Sequence, residues 1–276
     1  MTDVNWLFEA DPIDIDETQR MRAAVEELGL VSKDIKTIQL FSGLGNIYPD
    51  NEDTCVFFFG SLQMARKILR EKKWRPGAFL TLHNYRCEAY YPNMEQFLFN
   101  TPYTLLPLSR MMATLGELEE LYGCEGCLFV RPDSGFKTFT GQVFEVGIIQ
   151  AEFDKLRGFY DFPMSTMVLV SSPKNIRHEY RMFVVDDEVV AGSTYKKDRR
   201  SVVSPDVPDE VYDFTRKVLA ETKFRPDPAW VIDVCEDGDG QLWVLEIGSI
   251  SCCGIYGADA MAIARAVSEL LKRGVT

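Results

Sequence analysis

The sequence predicts an α+β chain in which hairpin-rich antiparallel sheet follows a smaller α/β unit. Three observations carry that prediction. Residues 55–73 read as strand, Gly-Ser, helix, an α/β signature. Two later stretches, 179–195 and 230–247, each place two apolar runs around an acidic turn, the pattern of a β-hairpin. The chain closes on an amphipathic stretch, with Ala260, Ile263, Ala264, Val267 and Leu271 on one helical face.

Taken in order, residues 17–28 place Met21, Ala24, Val25 and Leu28 at helical spacing, with Gly29 as a stop. Short apolar runs follow at 35–41 and 55–59, the second a strand ending in Gly60-Ser61, and Leu62 to Lys73 reads as a helix. Residues 92–107 are irregular and aromatic, broken by Pro102 and Pro107. That break predicts a boundary near residue 108, with an N-terminal domain over 1–108 and a second domain over 109–276. Arg110 to Leu121 reads as a helix. Leu128 to Arg131 is a strand entering the loop PDSGFKTFTG, and Gln142 to Ile149 leaves it as another. Met167 to Val170 is a buried-type strand stopped by Ser171-Ser172-Pro173. The two hairpins and a terminal helix over 256–273 complete the pattern.

Composition narrows the function. The 276 residues are 46% apolar, enough for a substantial core and too apolar for a disordered chain. The formal charge of −12 argues against a surface-wide grip on nucleic acid or anionic lipid. Residues 1–60 hold 12 acids against 4 bases, so an anionic ligand belongs elsewhere in the chain. No run approaches the ~18 apolar residues of a membrane span. The acidic N-terminus lacks a signal-peptide pattern, and seven cysteines read as free thiols, so a cytoplasmic setting is expected. Cys124 and Cys127 form a CxxC whose second, zinc-completing pair is missing.

Four constellations carry chemistry. In Arg131-Pro-Asp-Ser-Gly-Phe-Lys137 a basic residue ends a strand and a lysine sits in a glycine-bearing loop, a cradle for polyphosphate or simply a polar hairpin tip. Asp233 and Glu246 are acids within apolar strands, which is costly unless they are paired or metal-bound. If Asp239-Gly240 forms a two-residue turn, Asp233 lies opposite Glu246 with Cβ atoms about 5 Å apart, a hard-oxygen pair suited to Mg²⁺. If Asp237-Gly238 is the turn, Asp233 faces Leu242 instead. Glu179 and Arg181 share one strand face, as an anion clamp or a surface ion pair. The run Lys196-Lys197-Asp198-Arg199-Arg200 offers four cations to an anion, or is a solvated loop.

Read together, LFVRPDSGFKTFTG, MVLVSSPKNIRHEYRMFVVDDEVVAGSTY and WVIDVCEDGDGQLWVLEIGSISCCGIY resemble the ATP-grasp superfamily of carboxylate–amine ligases. They look most like a phage-associated branch in which an arginine, here Arg131, takes the place of the first ATP-binding lysine. The resemblance implies two α+β subdomains clasping ATP behind a small α/β domain. It puts Arg131 and Lys137 on phosphates and backbone groups near Leu169 and Val170 on adenine. It places Glu179 and Arg181 facing the nucleotide, and Asp233 and Glu246 on Mg²⁺. Arg181 and Lys137 would serve the reaction itself, in which a small-molecule or peptide carboxylate forms an acyl phosphate that an amine captures. One departure stands out: the family's Glu-x-Asn is Glu246-Ile247-Gly248 here, with Ser249 as a candidate replacement ligand. A nucleotide binder without turnover and a phosphotransferase are the alternatives.

Overall fold

A computed structural model describes residues 4–10, 15–49, 54–135 and 138–274. The N-terminal part holds β1 (Val4–Glu9), α1 (Ile15–Glu27), β2 (Val31–Ile35), β3 (Cys55–Phe59), α2 (Leu62–Glu71) and β4 (Arg75–Gly77). Its strands run parallel in the order β2-β1-β3-β4. β3 is apolar on both faces and wholly buried, and β1 is apolar on the face of Val4, Trp6 and Phe8, with Asn5 and Glu9 flanking buried Leu7 on the other, close to what strands of a covered parallel sheet show. Ser61 starts α2 by accepting the Met64 N–H, and Lys72 ends it in the left-handed region. The run 35–41 is not a strand. The strand lies earlier, at β2, and residues 37–40 form a tight turn in which the Gln39 side chain accepts the Lys36 N–H at 2.9 Å.

The aromatic stretch is more ordered than its composition predicts. It contains α3 (Cys87–Met94), with Tyr90 and Tyr91 buried, and β5 (Tyr103–Pro107). The helix expected over 110–121 breaks at Thr114 into α4 (Leu108–Ala113) and α5 (Leu115–Tyr122). Next come β6 (Cys127–Pro132), β7 (Gln142–Glu145), α6 (Ile149–Tyr160) and β8 (Met167–Ser171). The expected strand over 142–149 therefore stops at Glu145. These strands form an antiparallel sheet, β5-β8-β6-β7, packed on α4, α5 and α6 through Leu118, Leu128, Phe144 and Phe153.

A five-stranded antiparallel sheet completes the chain, with β9 (Ile176–Val185), β10 (Glu188–Lys197), β11 (Arg200–Ser204), α7 (Asp209–Glu221), β12 (Ala229–Asp237), β13 (Leu242–Ser249) and α8 (Ala260–Lys272). Its order is β11-β10-β9-β12-β13. α7 has no counterpart among the predicted elements, although Val211, Thr215, Val218 and Leu219 follow helical spacing and are buried. It covers one face of the sheet, against Met182, Val184, Trp230 and Ile232. On the opposite face Phe183, Val185 and Val231 pack toward α8 and the parallel sheet. Further along that face the side chains turn polar, and Arg181 and Asp233 sit there. Among the described residues no helix is long and apolar enough to cross a membrane.

Candidate active site

Asp233 lies directly opposite Glu246, the pairing expected from one of the two registers, but the chain reaches it by another route. The loop is one residue longer than a two-residue turn: Asp237 N–H bonds Gln241 O at 3.0 Å and Gly240 N–H bonds Asp237 O at 3.2 Å, with Gly240 at φ +81. Asp237 braces it by accepting from Asp239 N, Gln241 N and Trp243 Nε1. The longer loop offsets the strands by one, so Val234 faces Val244. A β-bulge at Leu245 restores the offset, and Asp233 and Glu246 meet.

The same row continues across the sheet. Arg181 pairs with Asp233 on one side and Ser193 on the other, so Ser193, Arg181, Asp233 and Glu246 line up over β10, β9, β12 and β13. Arg181 grips Asp233 with a two-bond fork, Nε to Oδ1 and Nη2 to Oδ2, both 2.8 Å. Its Nη1 donates to Gly254 O at 3.1 Å. Both partners are buried, at 8% and 2% exposure. Burial, the largest single effect, opposes the Arg181 charge, but the charge and hydrogen bonds of Asp233 together with Cys253 and Tyr256 hold the guanidinium pKa well above its ordinary value. Tyr195 and Tyr256 stack 4.8 Å apart, and the guanidinium lies 5.7 and 5.0 Å from their centroids. Glu179, one step along the same face, accepts from Tyr195 Oη and Lys196 Nζ, each at 2.8 Å.

Arg131 enters from the other sheet. Its Nη2 meets Glu246 Oε2 at 3.1 Å and its Nη1 donates to the bulged Leu245 carbonyl at 3.4 Å. Burial opposes its charge too, but Cys87, Tyr90, Tyr91 and Glu246 together raise its pKa well above the ordinary value. Gly141 is required here: a Cβ on it would sit 2.9 Å from Arg131 Cβ and 3.1 Å from Phe129 Cζ. The loop between is tied down by Asp133, which accepts from Arg86 Nε and Nη2 and from Glu88 N. Lys137 lies outside the described residues.

Leu169 and Val170 face opposite sides of β8. Leu169 shares register with Arg131 and Leu105 and joins the core between the sheets, whereas Val170 turns into the opposite core with α5 and α6. β8 is paired on both sides through Ser171, so the ladder takes up the backbone groups that the resemblance assigned to adenine. Ser171 lies two positions on from Leu169, on the same strand face. Among the described residues its buried hydroxyl has no hydrogen-bond partner. Buried polar groups are rarely left so.

The remaining expectations divide. Ser249 is not a replacement ligand, because its hydroxyl donates to Phe79 O at 2.6 Å on the other side of β13. At Gly248 a Cβ would stand 3.2 Å from Val231 Cγ2, so a side chain there needs Val231 to give by a few tenths of an ångström. Of the basic run, Lys196 is bound to Glu179, while Asp198 and Arg199 form the left-handed turn between β10 and β11. A cavity of about 660 Å³ lies elsewhere, beyond the β9–β10 turn, lined by Arg75, Phe79, Thr81, Asp186, Arg225 and Asp227. Asp186 and Asp187 there are paired with Arg273 and Arg225, and none of the charged row reaches it. Tyr195, Tyr256, Gly254 and Leu245 all touch the row and were not singled out by the sequence. Only the Tyr-rich flanks of the basic run and of Cys252-Cys253 hint at the first two.

Residues 111–266 match a family of ATP-grasp domains, the second family of its clade. No curated protein matches the chain. Among solved structures, D-cycloserine synthetase DcsG is similar at 13% identity and TM-score 0.68, over 97% of this chain and 99% of that one. A RimK domain protein ATP-grasp from Sphaerobacter thermophilus DSM 20745 gives 12% identity and TM-score 0.61, over 96% and 99%. D-alanyl-alanine synthetase A from Vibrio cholerae O1 biovar eltor str. N16961 gives 14% and 0.57, over 98% and 94%. At these identities the likeness establishes the fold, which is the one the sequence resemblance implied.

Proposed function

We propose that this chain, which belongs to that ATP-grasp domain family, is an ATP- and Mg²⁺-dependent ligase joining a carboxylate to an amine. The observation that carries this reading is the charged row of buried Arg181 and Asp233 and half-buried Glu246, met from the facing sheet by Arg131. In this reading residues 1–108 are an N-terminal α/β domain and 109–276 the ATP-grasp domain, with β5 pairing into the latter's sheet. The setting is cytoplasmic.

The nucleotide lies between the two sheets. Leu169 lines the base, and the unpartnered Ser171 hydroxyl offers it a hydrogen bond. Arg131, which the sequence resemblance puts in the place of the first ATP-binding lysine, and Lys137 take phosphate oxygens. To do so Arg131 exchanges the Glu246 carboxylate for a phosphate, one anion for another, without losing a counter-charge. Three of the five Arg181 donors are committed to Asp233 and Gly254, which leaves two for the transferring group. The Tyr195–Tyr256 stack keeps its guanidinium plane in place, and Glu179 borders the same pocket.

Two opposed carboxylates form a hard-oxygen set of the kind Mg²⁺ takes together with substrate phosphates, so Asp233 and Glu246 would hold the ion. When bound, Mg²⁺ supplies charge neutralisation on the phosphoryl group. Nothing among the described residues completes a second metal site, since Gly248 has no side chain and Val231 closes on it. A carboxylate oxygen of the first substrate attacks the γ-phosphorus and ADP leaves. The amine then attacks the acyl carbon and phosphate leaves. Substrates are small-molecule or peptide acids and amines: one structural neighbour, the ATP-grasp ligase PsnB, is seen with a precursor peptide, and another is a D-alanyl-alanine synthetase.

A second reading, nucleotide binding without turnover, is favoured by the same Gly248 and by carboxylates already matched with arginines. ADP release measured with pooled carboxylates and amines separates the two: substrate-stimulated release supports the ligase, and nucleotide binding with no release supports the binder. Glu246→Gln tests the site itself. It should weaken Mg²⁺-dependent nucleotide binding by about tenfold or more, and titrations identical to wild type would sink the assignment.

A further inference from the structure

The CxxC pair of the sequence falls outside the nucleotide site, at the junction of α5 and β6. Cys124 N–H bonds Cys127 O at 3.0 Å and Cys127 N–H bonds Cys124 O at 2.9 Å, so the two residues form an isolated antiparallel bridge. Between them Glu125 and Gly126 stand at φ +52 and +73, the two left-handed positions of a type I′ turn. Residues that exchange both backbone bonds have Cα atoms about 5.5 Å apart and side chains on one face. That Cα separation is within the roughly 4.4–6.8 Å a disulfide spans, and the Cβ atoms, about 5 Å apart in such a pair, close to about 3.5–4.5 Å as the bond forms. Cys124 is exposed and Cys127 half-buried, whereas Cys55, Cys87 and Cys235 are buried.

We propose that Cys124 and Cys127 are a redox-active dithiol that closes to an intrachain disulfide by exchange with a low-molecular-weight disulfide. Cys124, the more accessible, attacks one sulfur of the oxidant as its thiolate, forming a mixed disulfide and releasing one small thiol. Cys127 then attacks the Cys124 sulfur, the protein S–S bond forms, and the second small thiol leaves. Two protein thiols are oxidised, one small disulfide is reduced, and the two protons pass to the released thiols. The bond would fasten the start of β6, the strand that carries Arg131 four residues on and pairs Cys127 with Glu145 of β7.

The test uses the full-length protein in mixtures of oxidised and reduced glutathione, quenched with acid, alkylated, and read by intact and peptide mass. The expected product lacks two hydrogens, maps to the Cys124–Cys127 peptide, carries no glutathione and reverts with dithiothreitol. Cys127→Ser should stop at a stable glutathione adduct on Cys124. Two outcomes overturn the proposal: both cysteines remaining alkylatable at oxidising ratios, or wild type accumulating the adduct rather than the internal bond.

Discussion

Asp233 is 2% exposed and gives both oxygens to Arg181, so its substitution leaves a buried cation without a counter-charge. Asp233→Asn should therefore cost about 3–5 kcal/mol of stability in denaturant unfolding. The double variant Arg181→Met, Asp233→Leu should recover most of that loss, since an apolar pair carries no desolvation penalty, and still fail to bind nucleotide. A loss no larger than that of an exposed-site substitution would show the pair to be solvated. Asp227 makes a different case. It accepts from Thr81 N and Oγ1 and from Tyr85 Oη, yet burial raises its pKa from an ordinary 3.8. A carboxyl with a raised native pKa binds more protons folded than unfolded, so stability falls as pH rises from about 3.8 through the native value. Thermal unfolding across that range should show the decline in wild type and a flatter profile in Asp227→Asn; parallel profiles would remove Asp227 as the cause.

The β12–β13 hairpin depends on two deviations that cancel, a long loop and a bulge. Gly240 serves the first at φ +81, where a Cβ costs about 1–2 kcal/mol. Gly240→Ala should lower stability by about 1 kcal/mol, and Gly240→Asn by less, because asparagine tolerates that region; equal denaturation midpoints for all three would contradict the turn geometry. The hairpins were legible because each is local: two alternating runs and a turn lie within about twenty residues of sequence. The Asp233–Glu246 pairing was legible for the same reason, though its two compensating shifts were not. Elements such as α3, β5 and α6 were hidden because aromatic or mixed faces on them are buried by distant partners, as Tyr91 is against Tyr103. The contact of Arg131 with Glu246 joins two sheets and residues 115 apart, and no local pattern encodes it.

At the scale of the whole molecule, the two largest cores each draw on both proposed domains. Leu7, Val56 and Phe58 share one with Tyr180 and Trp230, and Trp6, Phe8 and Phe57 share the other with Ile263, Val267 and Leu271. Residues 1–108 made alone should therefore lack cooperative unfolding and dispersed amide resonances. A fragment that melts in a single sharp transition would show the N-terminal part to be self-sufficient. The Trp6 indole N–H donates to Ser268 Oγ on α8, 262 residues away. On a ribosome adding about 5–20 residues per second, β1 emerges roughly 15–50 s before that partner exists. Throughout that interval α1 alone covers the Trp6 face of the first sheet, so the chain's yield in a cell hangs on whatever shields the part left open until α8 arrives.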